Sequence, residues 1–225
     1  MKRYAAFLVF LSSIVTEANA HFLWLELEPE QKEKVALRFA EMPRQATPDS
    51  LQTKAAPMKV FAHDYAEIVM SKGQDALTGP IEPAAEFCTG KLAYGVLERE
   101  TGGPFLLNYF AKGVRNVEAA RTPRGLPVEV VADIVNGKLK LTVLHAGKPV
   151  KGAEVYATLP QEKEEIDAFS DDNGNAEFPV TKSGWIGVRA LVEEDGKGEF
   201  DGKPYGFIKN YSTLTFSYEL PRSAE

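Results

Sequence analysis

Residues 91–111, KLAYGVLERETGGPFLLNYFA, carry the clearest indication of fold in this chain of 225 residues. Two runs of apolar and aromatic residues, 91–98 and 104–111, flank a polar turn that contains Gly102 and Gly103. This pattern is typical of a β-hairpin, because glycine adopts the positive φ angles that tight turns between strands require. The stretch predicts two adjacent antiparallel strands and, with the runs around it, an all-β protein.

Further strand-like runs precede the hairpin. Apolar residues recur in four stretches that we interpret as strands: 21–27, 35–39, 58–62 and 68–70. The first of these alternates apolar and charged positions, and its aromatic residues Phe22 and Trp24 are interpreted as core rather than as a sugar-binding surface. The polar stretch 43–56 and the proline-containing stretch 79–86 are predicted to be loops.

The second half has a more regular strand pattern. Roughly seven short strands, spaced by about 8–12 residues, predict an immunoglobulin-like sandwich. Its core is predicted from apolar positions in these strands: Leu141, Val143, Val155, Phe178, Ile186, Val188 and Phe216. The charged run 193–198 is predicted to be a loop. Asp171 opens an Asp-Asp-Asn-Gly segment that predicts a tight turn, since the oxygen and glycine spacing of a calcium loop is absent from it.

Proline and glycine punctuation suggests how the chain is divided. These residues concentrate in 121–127, between two β-rich halves. We therefore predict a signal peptide over 1–20, an amino-terminal β domain over 21–125 and an Ig-like β-sandwich domain over 126–225, so that the mature chain comprises two β-sandwich-like domains.

The amino terminus has the composition of a secretory signal peptide. Two positive residues precede an apolar run at 5–15, and Ala18 and Ala20 supply the small-x-small pattern that a signal peptidase requires. The apolar run is too short to span a bilayer as a stable helix. We expect cleavage after Ala20, a periplasmic or secreted protein, no membrane insertion after cleavage, and a mature chain that begins with His21.

An amino-terminal histidine can bind metal in an unusual way. The free amine and the ring Nδ1 of His21 can hold one ion together, and a chain-terminal amine titrates at roughly 7.7–8.0, so binding requires little proton-loss work near neutral pH. His63 is the predicted third nitrogen donor, and Asp64 beside it could orient that ring or donate an oxygen. Such a donor set suits Cu(II) or Ni(II). A copper oxidase with this site is a further hypothesis, which would require a flat substrate surface around His21.

Composition and sequence motifs argue against several classes of function. The formal net charge is −6, which disfavours nucleic acid as a partner because phosphate contacts need clustered lysine and arginine. The chain carries no nucleophile elbow, phosphate loop or dinucleotide fingerprint, so we do not expect an enzyme. The single cysteine, Cys88, is predicted to be a buried, inert thiol. His145 is predicted to be a partly buried residue at a strand end rather than a ligand.

Three segments together resemble the exported bacterial proteins grouped as DUF4198. They are HFLWLELEP at 21–29, the hairpin YGVLERETGGPFLLNYFAKG at 94–113, and a carboxy-terminal series that begins with GKPVKGAEV at 147 and ends with KNYSTLTF at 216. The resemblance implies a periplasmic component related to nickel and cobalt uptake, with a carboxy-terminal Ig-like or transthyretin-like module, and a metal-related role for His21. The late strand carries Asn210 where a histidine would be a stronger candidate ligand.

The leading hypothesis is therefore an exported, non-enzymatic accessory protein. It would bind Ni, Co or Cu through His21, with His63 and Asp64 as further candidate ligands, and would supply a membrane transporter or store the ion. The alternative is an Ig-like structural or adhesion module that binds a cell-envelope protein or polysaccharide, with His21 incidental.

Overall fold

The computed structural model describes residues 21–99 and 102–221, so the predicted signal peptide lies outside the described residues. Strands make up 57% of the structure and helices 6%, which confirms the all-β prediction. The strands, in chain order, are β1 (Phe22–Leu27), β2 (Lys34–Ala40), β3 (Lys59–Phe61), β4 (Glu67–Ile68), β5 (Ser71–Lys72), β6 (Leu77–Pro80), β7 (Phe87–Arg99), β8 (Gly103–Val114), β9 (Val128–Val135), β10 (Lys138–His145), β11 (Lys148–Pro149), β12 (Glu154–Thr158), β13 (Ile166–Phe169), β14 (Asn175–Pro179), β15 (Gly184–Phe200) and β16 (Lys203–Tyr218). The helices are α1 (Asp49–Ala55) and α2 (Val117–Ala120). Neither helix has the length and hydrophobicity that a bilayer span requires, a finding that covers the described residues only.

The strands form three sheets. The first has the order β1-β2-β6-β5. In the second, β10 is central: β9 pairs with one of its edges, and β14 and β11 pair with different parts of the other edge. The third contains eight strands in the order β13-β12-β15-β16-β8-β7-β3-β4. The predicted hairpin at 91–111 forms its β7–β8 pair, which confirms that part of the sequence interpretation.

The eight-stranded sheet is the middle layer of the molecule, and side chains on β8 alternate between its faces. Leu107, Tyr109 and Ala111 enter a core shared with the first sheet. Phe110 and Val114 enter a second core shared with β9, β10 and β14. A strand covered on both faces is buried continuously, as β8 is from Phe105 to Leu107 and from Tyr109 to Val114. The seven core positions predicted in the second half all lie in the second core, which confirms them.

Strands from both halves of the chain meet in this sheet. β16 runs parallel to β8, with Phe207 opposite Phe105 and Thr215 opposite Gly113. The two halves of the chain therefore share one hydrogen-bonded ladder. Whether 21–125 and 126–225 are separate domains stays a prediction.

The first sheet approaches the middle layer closely at β1. The hydroxyl of Thr213 donates to the carbonyl of Leu23 at 2.6 Å, and Thr215 donates to the carbonyl of Leu25. Gly113 faces the same carbonyl, and a Cβ there would lie 2.4 Å from the Leu25 oxygen. The two threonine hydroxyls therefore satisfy the carbonyls of β1 that face the middle sheet. The absence of a side chain at Gly113 lets β1 lie close to that sheet.

Three local predictions were wrong. The predicted loop 43–56 contains α1, which begins after Pro48 without a side-chain cap and is fixed by Gln52, whose amide donates to the carbonyls of Thr47 and Gly73. The predicted loop 193–198 lies within β15, because pairing with β16 continues past a register shift between Asp195 and Gly198. The expected alternation of β1 also fails, since all six residues of β1 are buried.

Candidate functional site

His21 lies immediately before β1 and is held at two points. Its carbonyl accepts a hydrogen bond of 3.0 Å from the hydroxyl of Tyr109, and its ring packs edge-on against Phe39 with a centroid distance of 5.8 Å. The residue is half-buried. Both its backbone and its ring therefore have a defined position.

A cleft of about 210 Å³ opens beside this residue; we call it the His21 cleft. Aromatic rings dominate its wall: Tyr94 and Tyr109 meet edge-on at 5.8 Å, and Tyr109 stacks on Tyr211 at 5.9 Å. The complete lining consists of His21, Phe22, Phe39, Leu51, Lys54, Tyr94, Leu97, Phe105, Leu107, Tyr109, Lys209 and Tyr211. Edge-to-face and offset contacts between rings are the favourable arrangements, so the wall is well packed.

Strand register and one bulge explain how these side chains converge. Tyr211 of β16 lies opposite Tyr109 of β8, which places both rings on the same face of the sheet. In β7 the register shifts between Ala93 and Gly95. A bulge of this kind changes which residues face each side of a strand, so Tyr94 and Leu97, three positions apart, both line the cleft.

Two lysines add positive charge to the cleft. Lys209 lies over the rings of Phe105 and Phe207, at 5.3 and 5.7 Å, and its ammonium pairs with Glu193 at 2.5 Å. Lys54 contributes an exposed ammonium from α1. The paired Lys209 is largely neutralised locally, whereas Lys54 is available to an anionic group.

The other predicted ligands, His63 and Asp64, lie in the turn between β3 and β4. Both are exposed, and the Asp64 carboxylate accepts the backbone N–H of Ala66 at 3.0 Å. They are not part of the lining of the His21 cleft. In residues 21–99 and 102–221, no three His, Cys, Asp or Glu side chains form a group that could hold a metal ion, so His21, His63 and Asp64 are not gathered into one. A role for His63 as third donor stays a prediction.

His145 and Asn210 belong to a separate polar chain. His145 Nε2 lies 3.3 Å from a carboxylate oxygen of Glu194, and the Asn210 amide donates to the same oxygen. The side-chain amide of Asn108 donates to the side-chain oxygen Oδ1 of Asn210 at 3.0 Å. Asn210 is 2% exposed and neighbours Tyr211 in β16, so its side chain leaves the sheet on the face opposite the His21 cleft.

Two further predictions from the sequence are confirmed. Cys88 is a buried free thiol, and burial raises its pKa to about 12, which keeps it protonated and unreactive near neutral pH. The Asp171 segment is a turn: its carboxylate accepts the N–H groups of Asn173 and Asn175, each at 2.8 Å, and Gly174 has a φ of 76°.

A larger hollow of about 550 Å³ lies on the outer face of β9, β10 and β14. Arg121 pairs with Asp133 at 2.8 Å and Lys140 with Glu177 at 3.3 Å, while the Asp171 carboxylate accepts backbone N–H groups of its own turn. Because these charges are exposed and mutually satisfied, this hollow offers a solvated surface rather than a site with unused chemistry.

Comparison with known proteins finds that one segment of the chain is similar to a family of domains. Residues 107–194 match DUF4198, a domain of unknown function. The DUF4198 segment runs from β8 into β15 and thus includes strands of both the middle sheet and the second sheet. The His21 cleft also has lining residues outside this segment: Phe39 precedes it in the chain and Tyr211 follows it. No curated protein matches the chain.

Solved structures with similarity to the chain contain fibronectin-type and adhesion domains. The FN1–FN3 domains of chicken CNTN1 are 13% identical over 80% of this chain, with a TM-score of 0.23; this chain spans 61% of theirs. A two-domain fibronectin type-III segment of chicken tenascin is 12% identical over 85% of this chain and 97% of its own, with a TM-score of 0.23. The BSP domain of a biofilm-associated protein is 10% identical over 85% of this chain and 27% of its own, with a TM-score of 0.24.

The sequence did not predict the His21 cleft, although several of its lining residues lie close together in the chain. Tyr94, Phe105 and Tyr109 all lie in the hairpin stretch that was used to assign the fold. Their partner Phe39 is distant along the chain, and the strand bulge that brings Leu97 to the same wall has no signature other than Gly95, whose φ is 134°.

Proposed function

We propose that the protein is an exported, non-enzymatic accessory protein that binds one divalent transition-metal ion, Ni, Co or Cu, through the amine and ring of His21. The observation that carries this proposal is the support around His21: the Tyr109 hydroxyl holds its carbonyl and Phe39 packs against its ring. A chelating residue whose backbone and ring are already positioned loses less conformational freedom on binding. The resemblance of three sequence segments to DUF4198 proteins implies a metal-uptake role, and residues 107–194 match that domain of unknown function.

The chemistry depends on cleavage after Ala20, which converts the nitrogen of His21 from an amide into an amine. A peptide nitrogen is a poor ligand near neutral pH, whereas a chain-terminal amine loses its proton at roughly 7.7–8.0. The amine and Nδ1 of one histidine then bind an ion as a chelate, and nitrogen donors of this type suit Ni(II) and Cu(II). The bound ion would be stored or transferred to a transporter in the cell envelope.

The test uses mature protein that begins with His21, titrated with Cu(II) and Ni(II) by calorimetry and visible absorption. We expect one ion per chain. His21→Ala should abolish this binding, and so should acetylation near pH 7, which modifies the terminal amine before lysines because lysine titrates near 10.4. His145→Ala is the matched control and should bind normally. Stoichiometric binding that survives His21→Ala would contradict the proposal. His63→Ala, in the same titration, tests whether His63 is the third donor.

A second candidate function, an Ig-like structural or adhesion module that binds a cell-envelope partner, is supported by the edge of the middle sheet. Phe169 is 67% exposed on β13, which is an outermost strand of that sheet. Exposed edge strands are common docking sites for an added strand of a partner. An envelope protein captured by metal-free protein, and lost with Phe169→Asp, would favour this function. Capture that is unaffected by Phe169→Asp would exclude the β13 edge.

A further inference from the structure

The outermost strand of the middle sheet, β13, has one side without a neighbouring strand. Within the part of the chain that the structure describes, β13 pairs only with β12, in antiparallel orientation. The N–H of Ser170, just after β13, donates to the carbonyl of Ala153 at 3.0 Å. Because the direction of the backbone groups alternates along an antiparallel strand, those of Asp167 and Phe169 point away from β12. We call this free side of the strand the β13 edge.

The β13 edge carries two backbone N–H groups and two carbonyls, all from Asp167 and Phe169. No backbone hydrogen bond among residues 21–99 and 102–221 engages these four groups. The side chain of Phe169 lies beside them and is 67% exposed. Open backbone groups next to an exposed apolar side chain are the features that an added strand of a partner uses, the first for affinity and the second for specificity.

The charge around the β13 edge determines which strand would fit. Residues 162–172 contain six carboxylates and one lysine, a formal net charge of −5. Two of the carboxylates pair with Arg189 and Lys151, each at 2.7 Å, and the net charge with these two cations included is −3. Asp167, on the strand itself, is exposed and takes part in no ion pair among the described residues. The edge therefore attracts a positively charged strand.

A second copy of this chain is a poor match for the β13 edge. Pairing of two such edges would bring the two acidic segments together, and like charges on adjacent strands are destabilising. The opposite edge of the same sheet, β4, is only two residues long and offers little backbone for pairing. Charge on an edge strand is a common protection against self-association. The occupant that fits is therefore a basic strand of a different protein.

We propose that the β13 edge binds an extended segment of another protein, rich in lysine or arginine, as an added antiparallel strand. The backbone of this segment pairs with Asp167 and Phe169. One of its basic side chains lies opposite Asp167, and an apolar side chain two positions away lies opposite Phe169. Both contacts fall on one face, because residues two apart on a strand face the same side. This inference rests on the second candidate function and names the chemistry of its partner, and it is independent of metal binding.

The test measures binding of fluorescent peptides to the mature protein by anisotropy. The probe is a peptide of about ten residues, a typical strand length, with threonine at every second position and lysine and valine alternating between the threonines. One control peptide has glutamate in place of lysine, and a second has methyl groups on the backbone nitrogens of its lysines and valines. We expect only the unmethylated lysine peptide to bind, and its affinity to fall as salt is added.

Variants of the protein locate the binding. Asp167→Lys should weaken binding of the lysine peptide about tenfold, because it replaces an attraction across the strands by a repulsion. Phe169→Pro should abolish binding, since it removes an outward N–H and the exposed ring at a type of position where edge strands tolerate proline. Glu199→Lys makes a similar charge reversal at an exposed position of β15 and should have no effect. Circular dichroism checks that each variant is folded, and the bound peptide should slow hydrogen exchange at the amides of Asp167 and Phe169 but not at those of β4.

The outcomes separate this inference from the second candidate function. Equal binding of the lysine and glutamate peptides, or of the methylated and unmethylated ones, would overturn the inference. Capture of an envelope protein that is lost with Phe169→Asp but unaffected by Asp167→Lys would also overturn it, and would leave the second candidate function intact. Failure of the lysine peptide to bind, together with capture that is unaffected by Phe169→Asp, would overturn both.

Discussion

Replacing Lys112 with methionine tests whether one buried ion pair fastens the two halves of the molecule. Lys112 lies in β8 and Glu129 in β9, with side chains 0% and 2% exposed and a distance of 2.6 Å between Nζ and Oε1. The Glu129 carboxylate also accepts the backbone N–H groups of Arg124, Gly125 and Leu126. This carboxylate therefore fixes the connection between the halves, and Lys112 supplies its countercharge.

The expected loss follows from what each group does in the protein interior. At 2.6 Å and an effective dielectric constant of about 20, the attraction is on the order of 6 kcal/mol. Burial opposes it and lowers the pKa of the Lys112 ammonium, with Glu129 raising that pKa and Arg124 lowering it. The net value of such a pair is small, but removing one partner leaves a buried charge without its counterion. We therefore expect Lys112→Met to lower the free energy of unfolding by about 3–5 kcal/mol, against a typical total of about 5–15 kcal/mol.

Urea unfolding followed by circular dichroism and tryptophan fluorescence measures this loss. The double variant Lys112→Met with Glu129→Gln should recover about 1–3 kcal/mol relative to the sum of the two single variants, because no buried charge is left unpaired. Lys151→Met is the matched control: Lys151 pairs with Asp172 at 2.7 Å, but both are more than 70% exposed, and we expect a change below about 1 kcal/mol. A loss at Lys112 no larger than that at Lys151, or strictly additive single variants, would refute the reasoning.

Two more predictions concern the contact between β1 and the middle sheet. Burial raises the pKa of the Cys88 thiol to about 12, so a thiol reagent at pH 8 should label it only after unfolding. A cysteine in the unfolded chain has a pKa near 8.5, so above about pH 9 the native state binds more protons than the unfolded state. The free energy of unfolding should therefore fall by up to about 1.4 kcal/mol per pH unit in that range. Cys88→Ala should reduce this slope. Gly113→Ala should cost about 1–3 kcal/mol in urea unfolding, because its Cβ would meet the Leu25 oxygen at 2.4 Å, whereas at Gly206 the nearest atom is 3.9 Å away and Gly206→Ala should cost much less. Equal losses at the two glycines would contradict the packing argument.

The elements that the sequence predicted correctly are those with a local cause. The β7–β8 hairpin has its turn glycines between two apolar runs, and core positions such as Val155 and Val188 lie in strands with regular alternation. Residue type and period are sufficient in these cases because both are local: glycines mark the turn, and alternate residues along a strand face the same side.

The predictions that failed depended on partners distant along the chain. Glu26 belongs to a strand that reads as alternating, yet it is fully buried because Arg38 pairs with it at 2.8 Å and the Arg44 N–H donates to it. Helix α1 is fixed by Gln52, whose amide reaches the carbonyl of Gly73 in another part of the chain. Periodicity within a short window contains no information about such contacts, so it assigned a charged residue to the surface and a short helix to a loop.

The candidate site combines both kinds of information: His21, its proposed centre, is a prediction from local sequence, whereas the cleft beside it is visible only in the fold. His21 follows from the signal-peptide pattern, a local feature of residues 1–20. The cleft beside it requires Phe39 from β2, Tyr94 from β7 and Tyr211 from β16, and these residues meet only because β16 pairs in parallel with β8 and β7 carries a bulge. A local pattern is therefore sufficient to single out His21, whereas a cleft built from three strands that are distant along the chain follows only from the pairing of those strands.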